Sequence, residues 1–132
     1  MGPQFLELEE VLQLHADLIE RYGGEPGVRD LGLLESALAM PRSGSHGVYF
    51  HADLHEMAAA YLFHIVRGHP FVDGNKRTGA MAAFVFLALN DLRLACSNRA
   101  LVAEVVAVAE GSADKAHVTR FIRRHARRRA RP

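Results

Sequence analysis

HPFVDGNKRTG, residues 69–79, puts a histidine, a carboxylate, an amide, two adjacent cations and two glycines between two apolar runs. Upstream, Leu54, Met57, Ala58, Tyr61, Leu62 and Ile65 recur at helical spacing, in a helix that runs to about Arg67. Downstream, GAMAAFVFLAL, residues 79–89, is apolar all round, the pattern of a central helix surrounded on every side. HPFVDGN is then the turn between two core helices, and NKRTG is the first turn of the second. This placement decides the fold class: all-α, with its most polar stretch at a junction in the middle.

Outward from the junction, helical spacing recurs and period-2 alternation of β-branched residues is almost absent. Residues 7–22 place Leu8, Val11, Leu14 or His15, Leu18 and Tyr22 on one face, and Gly23–Gly24 close the helix. Asp30 is an N-cap for a short helix that ends before Pro41. Residues 43–52 read as a loop with a short extended flap at Val48-Tyr49-Phe50. Asp53 followed by Glu56 is a capping signature for the helix leading to the junction. Asn98, and Ser112 or Asp114, are cap positions for helices over 99–110 and 115–128, separated at Gly111. The expected architecture is a compact single-domain bundle of about six helices over residues 1–125, with a basic, disordered tail at 126–132.

The chain length suits one domain with one core. No charge-free apolar run reaches the ~20 residues that span a bilayer, and the first residues lack a signal-peptide layout. A single cysteine, Cys96, excludes an internal disulfide and fits a reducing, cytoplasmic setting. The net charge of +1 conceals an asymmetry. Residues 120–132 hold seven arginines and no acid, while the other 119 residues carry nine Lys/Arg against fifteen Asp/Glu, a net of −6. An acidic body argues against nucleic-acid binding as the main function, leaving a weak electrostatic contribution from the tail.

The chemistry of residues 69–79 follows from their place at a helix start. Unpaired N–H groups and the positive end of the dipole favour an anion there. Gly74 lets those N–H groups approach a ligand. Lys76 and Arg77 add two cations, the arginine fork suiting phosphate oxygens. Two cations at the positive end of a helix are destabilising unless an anion visits. Asp73 offers a hard oxygen to Mg²⁺, which is typically held by one or two carboxylates plus substrate phosphates. His69 is the side chain suited to take a proton from a hydroxyl near neutral pH. Pro70 and Phe71 are apolar and stiff, an anchor pinning the loop to the core. The residues together read as a nucleotide-phosphate site with a general base beside it.

HPFVDGNKRTG resembles the signature of the Fic/Doc superfamily, and the lysine after the asparagine makes it most similar to the death-on-curing (Doc) toxins of toxin–antitoxin modules. GVRDLGLLESALAMP, residues 27–41, resembles the segment those toxins carry before the flap, and the likeness extends over roughly residues 5–125. The resemblance implies the small helical Fic/Doc core. It implies His69 as the base, Asp73 as the Mg²⁺ ligand, Asn75 as a loop-positioning and phosphate-contacting group, and Arg77 as a phosphate clamp. Lys76 stands where Fic enzymes, which transfer AMP, have a second glycine. In Doc-like toxins that lysine fills part of the anion hole, the nucleotide lies the other way round, and the γ-phosphate of ATP reaches the protein hydroxyl. The implied target is a threonine of translation elongation factor Tu, and the implied outcome is translation arrest.

Two departures stand out, one from the Doc motif and one from the many Fic enzymes that inhibit themselves. Gly74 and Pro70 give HPFVDGN a Fic-like first half, which leaves AMP transfer to a protein hydroxyl as the alternative chemistry. No [Ser/Thr]-x-x-x-Glu-[Gly/Asn] segment of the self-inhibiting kind is present, because Val106 stands where Glu110-Gly111 would need the hydroxyl. Restraint is then expected from a separately encoded antitoxin that lays a segment into an apolar groove. A catalytically silent module binding nucleotide or antitoxin is the reading from a different class.

Other residues carry weaker signals. Arg67 is either a phosphate contact or a cation at a helix C-terminus, where it is favoured. His51 and His55 are four apart, as in helical zinc pairs, but His51 precedes the Asp53 cap and no glutamate follows it directly. His64 reads as a core or capping histidine. Glu35 and Arg29 are candidates for a pair near the flap, and Tyr49 with Phe50 for a strand that docks a peptide or covers the core.

Overall fold

The structure, a computed structural model, describes residues 2–129. Six helices form among them: α1 (Leu8–Tyr22), α2 (Leu31–Ala39), α3 (Leu54–Gly68), α4 (Asn75–Leu89), α5 (Asn98–Glu110) and α6 (Lys115–His125). Two small antiparallel ribbons accompany them. β1 (Gly44–Ser45) pairs with β2 (Val48–Tyr49), and β3 (Leu92–Leu94) pairs with β4 (Ala126–Arg128). None of the helices described is long and apolar enough to cross a membrane.

α3 and α4 are the heart of the core. Met57, Ala58, Ala59, Tyr61, Leu62 and Ile65 on α3 meet Ala82, Ala83, Phe86 and Leu87 on α4, all of them buried. Gly79 sets their separation: a Cβ there would lie 2.7 Å from Val66 Cγ2 and 3.2 Å from Leu62 O. Tyr61 carries a polar handle on this face. Its hydroxyl accepts the Leu6 N–H at 3.0 Å, and burial pushes its pKa up to about 12.

The expected caps at Asp30, Asp53 and Asp114 are present, accepting the N–H groups of Leu33, Glu56 and His117. α5 is capped one residue earlier than expected, by Ser97 accepting from Ala100 at 3.1 Å. Serine and asparagine are adjacent cap formers there, and sequence alone does not rank them. The flap is the β1–β2 hairpin, turned by His46 (φ 52°) and Gly47 (φ 77°), both left-handed as a tight hairpin needs.

Three expectations are revised. α4 is not surrounded on every side: Phe84 and Leu89 are exposed, because the neighbours of a helix in so small a domain cover only part of its circumference. Tyr22 is exposed rather than on the buried face of α1, where Val11, His15 and Leu18 lie. Residues 126–128, expected in a disordered tail, form β4 against β3; residues 130–132 lie outside the described residues. The pairing is made by backbone groups, to which a run of arginines is no obstacle.

α6 is fastened to α3 by two polar links. Arg123 donates to Asp53 at 2.7 Å. Lys115 Nζ lies 3.1 Å from His51 Nε2 and 3.0 Å from His64 Nε2. An ammonium donating to two neutral rings accounts for both contacts. Burial foremost, then the Lys115 charge, brings His64 down to about 4 and moves His51 in the same direction. The unfolded chain protonates these rings near pH 6.5, whereas the folded chain holds them neutral. The His64 contribution to stability is therefore complete above that pH and is lost as the pH falls through about 4, and His51 acts in the same direction. Thermal midpoints measured between about pH 7 and 4.5 are expected to decline, and His64→Gln to flatten the decline. Parallel declines in both proteins would place the pH dependence elsewhere.

Candidate active site

The junction between α3 and α4 is built from its backbone outward. His69 is the C-cap of α3, with φ 52° and ψ 52°, and its N–H donates to Ile65 O. A non-glycine residue in this left-handed region is held there by its surroundings. Arg29 supplies part of the hold: its Nε–H donates to His69 O at 2.7 Å and an Nη–H to Gly68 O at 3.1 Å. The backbone N–H groups of Arg29 and Asp30 donate to Pro70 O at 2.8 and 3.0 Å, and Val72 N–H donates to Gly27 O at 3.0 Å. Residues 27–30 thus run as a strap along residues 70–72. The expected Arg29–Glu35 pair gives way to this clamp, since the arginine reaches the free carbonyls at the end of α3.

The anchor expected of Pro70 and Phe71 is present, and both are buried. The Phe71 ring stacks on His15, 3.9 Å between centroids and 8° from parallel. His15 donates from Nε2 to Asp73 O at 2.8 Å. Asn75 is buried and closes the loop from both sides: Oδ1 accepts the Phe71 N–H at 2.9 Å while Nδ2 donates to Phe71 O at 3.0 Å. Gly74 has φ 77° and starts α4 without a side-chain cap. The first-turn N–H groups of α4 are thereby left for a ligand.

Asp73 is exposed, yet both its oxygens have partners. Glu25 N–H donates to Oδ2 at 3.1 Å and Gly74 N–H to Oδ1 at 2.8 Å. These two donors, Glu25 then Gly74, with the Lys76 charge adding, hold the carboxyl below its ordinary range. It is therefore a fixed anion at neutral pH, with lone pairs still open to a cation. Among the described residues no group of three or more His, Cys, Asp or Glu could hold a metal. The protein's contribution to a Mg²⁺ site would then be one hard oxygen, which fits an ion held mainly by the phosphates it accompanies.

A cavity of about 230 Å³ opens at this junction, lined by Val66, Arg67, His69, Asp73, Gly74, Asn75, Lys76 and Ala109. Six of the seven residues expected at the site therefore share one cavity. Arg77 does not line it. Its guanidinium lies 4.6 Å above the ring of Tyr22, on the side of α1. Arg67 reaches across to α5, its Nη1 donating to Val108 O at 3.4 Å. The apolar wall joins Val66 of α3 to Ala109 of α5, and Ala109 gave no signal in the sequence because α5 enters the site only through tertiary packing. His51 and His55 do not converge: His51 Nε2 is beside Lys115, whereas His55 Nδ1 lies 3.8 Å from Asp53.

Known proteins have similar sequences. The chain is 42% identical over 92 residues to a protein named Toxin Doc from Mycolicibacterium smegmatis, covering 70% of this chain and 68% of that one. It is 40% identical over 87 residues to a protein named Protein kinase doc from Escherichia phage P1, covering 65% and 68%. Residues 5–87, which match the sequence profile of the Fic/DOC family, include α1, the strap, the flap, α3, the whole loop and most of α4. With the family's helical core and its signature loop both in place, the chain belongs to the Fic/DOC family.

Proposed function

We propose that the chain is a cytoplasmic toxin of the death-on-curing kind, a protein kinase of non-kinase fold that moves the γ-phosphate of ATP to a Ser/Thr hydroxyl. The observation that carries this reading is the meeting of His69, Asp73, Lys76 and an uncapped helix start around one cavity. The name of the phage relative supports kinase chemistry, and both relatives' names support the Doc type.

The residues divide the work as follows. The Gly74–Lys76 turn binds phosphate oxygens through backbone N–H groups and one ammonium. Asn75 contributes mainly by fixing the loop, since both ends of its amide are engaged with Phe71. The His69 imidazole takes the proton as the target hydroxyl oxygen forms a bond to the γ-phosphorus. The bond from that phosphorus to the β-phosphate oxygen breaks, and ADP leaves. A Mg²⁺ ion accompanying the phosphates beside Asp73 would spread the charge on the leaving group. Arg77 joins as a clamp on leaving the Tyr22 ring, an exposed cation–π contact worth roughly 0.5–1 kcal/mol. The cavity is smaller than the ~300–1,000 Å³ of typical ligand pockets, which suits a phosphate chain with ribose and base outside it.

The target we assign is elongation factor Tu, and restraint is assigned to a separately encoded antitoxin. AMP transfer is the second reading, favoured by Pro70 and Gly74 in the loop. ATP labelled on the α- or the γ-phosphate, incubated with the protein, Mg²⁺ and bacterial lysate, separates the two. A His69-dependent band from the γ label alone supports the kinase. A band from the α label replaces it with an AMP transferase, and no His69-dependent band from either leaves a binding protein. Lys76→Gly is expected to abolish γ-phosphate transfer and to admit α-phosphate transfer, since the ammonium both blocks one phosphate pose and supports the other. Unchanged γ transfer in that variant would refute the role given to the lysine.

A further inference from the structure

β3 and β4 pair with Leu92 opposite Arg128, Arg93 opposite Arg127, and Leu94 opposite Ala126. Residues directly opposite in an antiparallel pair share a face, so the side chains of Arg93 and Arg127 stand together on the exposed side while Leu94 is buried on the other. Like charges so placed destabilise a ribbon. The sequence adds to the conflict: residues 115–129 contain no acid, and Arg124 and Arg129, both exposed, flank the pair, while Arg128, opposite Leu92, belongs to the other face.

Part of this charge has a local use. Arg123 is paired with Asp53. Arg127 Nη1 donates to Arg124 O and Ala126 O at 2.7 and 2.9 Å, at the end of α6. Arg129 Nη1 donates to Ala88 O at 3.3 Å, near the end of α4. Helix dipoles favour cations at those ends. Carbonyl partners orient a guanidinium without cancelling its charge, however, and Asp91, the acid that directly precedes β3, offsets a single unit. The result is an ordered array of arginines on a body that is otherwise acidic.

The chemistry of the array selects its partner. Every cation in it is arginine, whose planar fork meets phosphate oxygens two at a time. No exposed aromatic side chain belongs to the ribbon, so unstacked bases have no platform there. Neither strand exposes a large apolar side chain of the kind that enters a lipid surface. We propose that the β3–β4 ribbon docks on the phosphate backbone of duplex nucleic acid, RNA and DNA alike, without reading sequence. The acidic remainder of the chain repels the polyanion and so restricts approach to this face. The surface is independent of the transfer site, and its failure would leave that site untouched.

Fluorescence anisotropy of the full chain tests this with three probes: a labelled RNA duplex, a DNA duplex of the same sequence, and vesicles rich in phosphatidylserine. Both duplexes are expected to bind at low salt, with affinity falling along a log–log slope of about −3 for three to four phosphate contacts. Combined Arg93→Gln, Arg124→Gln and Arg127→Gln substitution is expected to weaken binding about tenfold or more and to flatten the slope by about two. The matching lysine triple keeps the charge and loses the fork, so it is expected to keep the parent's salt slope and to bind a few-fold more weakly, less weakened than the glutamine triple. Arg93→Glu, on the exposed face of β3, is expected to weaken binding at least threefold and serves if the glutamine triple fails to fold by circular dichroism. Binding that ignores salt, a folded glutamine triple that binds as the parent does, or vesicle binding without duplex binding would each overturn the proposal. A preference above tenfold for one duplex would also overturn it, because backbone contact alone does not give one.

Discussion

Replacing His69 by alanine is expected to lower phosphoryl transfer by about 10²–10⁴-fold, the usual share of a positioned acid–base group. The imidazole is exposed at the mouth of the cavity, and its removal deletes no buried contact. Histidine enters the left-handed region more readily than alanine, a difference on the order of 0.5 kcal/mol for a several-fold preference. The fold should therefore survive with a stability change within about 0.5 kcal/mol, as for exposed positions generally. Nucleotide affinity should survive as well, because the groups assigned to the phosphates are at the start of α4. The informative experiment measures three quantities on one preparation: γ-phosphate incorporation, ATP affinity and thermal midpoint. Transfer lost with affinity and midpoint retained is the expected pattern. A folded His69→Ala protein that still transfers phosphate would remove His69 from the chemistry, and one that still arrests bacterial growth would favour the binding-module reading.

Phe71→Ala attacks the same site from beneath. The ring is fully buried and lies flat on His15. Truncating a buried phenylalanine costs about 3–5 kcal/mol, a large part of the ~5–15 kcal/mol that stabilises a domain. A midpoint lower by on the order of 10–20 °C is expected for a chain of this size. The second consequence is local. His15 loses the plane that sets its ring, and with it the bond to Asp73 O, while Asn75 holds a backbone no longer anchored. Transfer should fall at temperatures where most of the protein is still folded. Phe71→Leu, which refills much of the volume, should recover most of the stability and less of the activity. Equal recovery of both would reduce Phe71 to a core residue with no separate hold on the loop.

The sequence made the junction legible because chemistry and periodicity coincided there. Residues with no business in a core, His69, Asp73, Lys76 and Arg77, interrupted two helical patterns at one point. Asp30, Asp53 and Asp114 announced helix starts by the same local logic. What stayed hidden was whatever depends on distant pairing. Arg29 was visible as a cation but not as the clamp on residues 68 and 69, some 40 positions away. His15 was visible as one residue of an apolar face, and its bond to Asp73 spans 58 positions. β3 and β4 eluded notice because three-residue strands hold too few alternations to register. Arg77 shows a third limit: its type and position suit a phosphate, yet the exposed Tyr22 ring offers it a resting place no motif encodes.

The clamp on α3 and the bridge from Arg67 to α5 have a joint consequence for the sign of the cavity. α3 and α5 both end beside it, and α4 begins there. Each helix C-terminus carries roughly half a negative charge and each N-terminus half a positive one. Two ends against one, the bare backbone would make a basin for cations, a poor host for a phosphate chain. Arg29 covers the carbonyls of Gly68 and His69, and Arg67 covers that of Val108. Two guanidiniums thus reverse the backbone's polarity by masking its negative ends. They act as electrical insulation, which lets the single helix that begins at the cavity determine what is drawn into it.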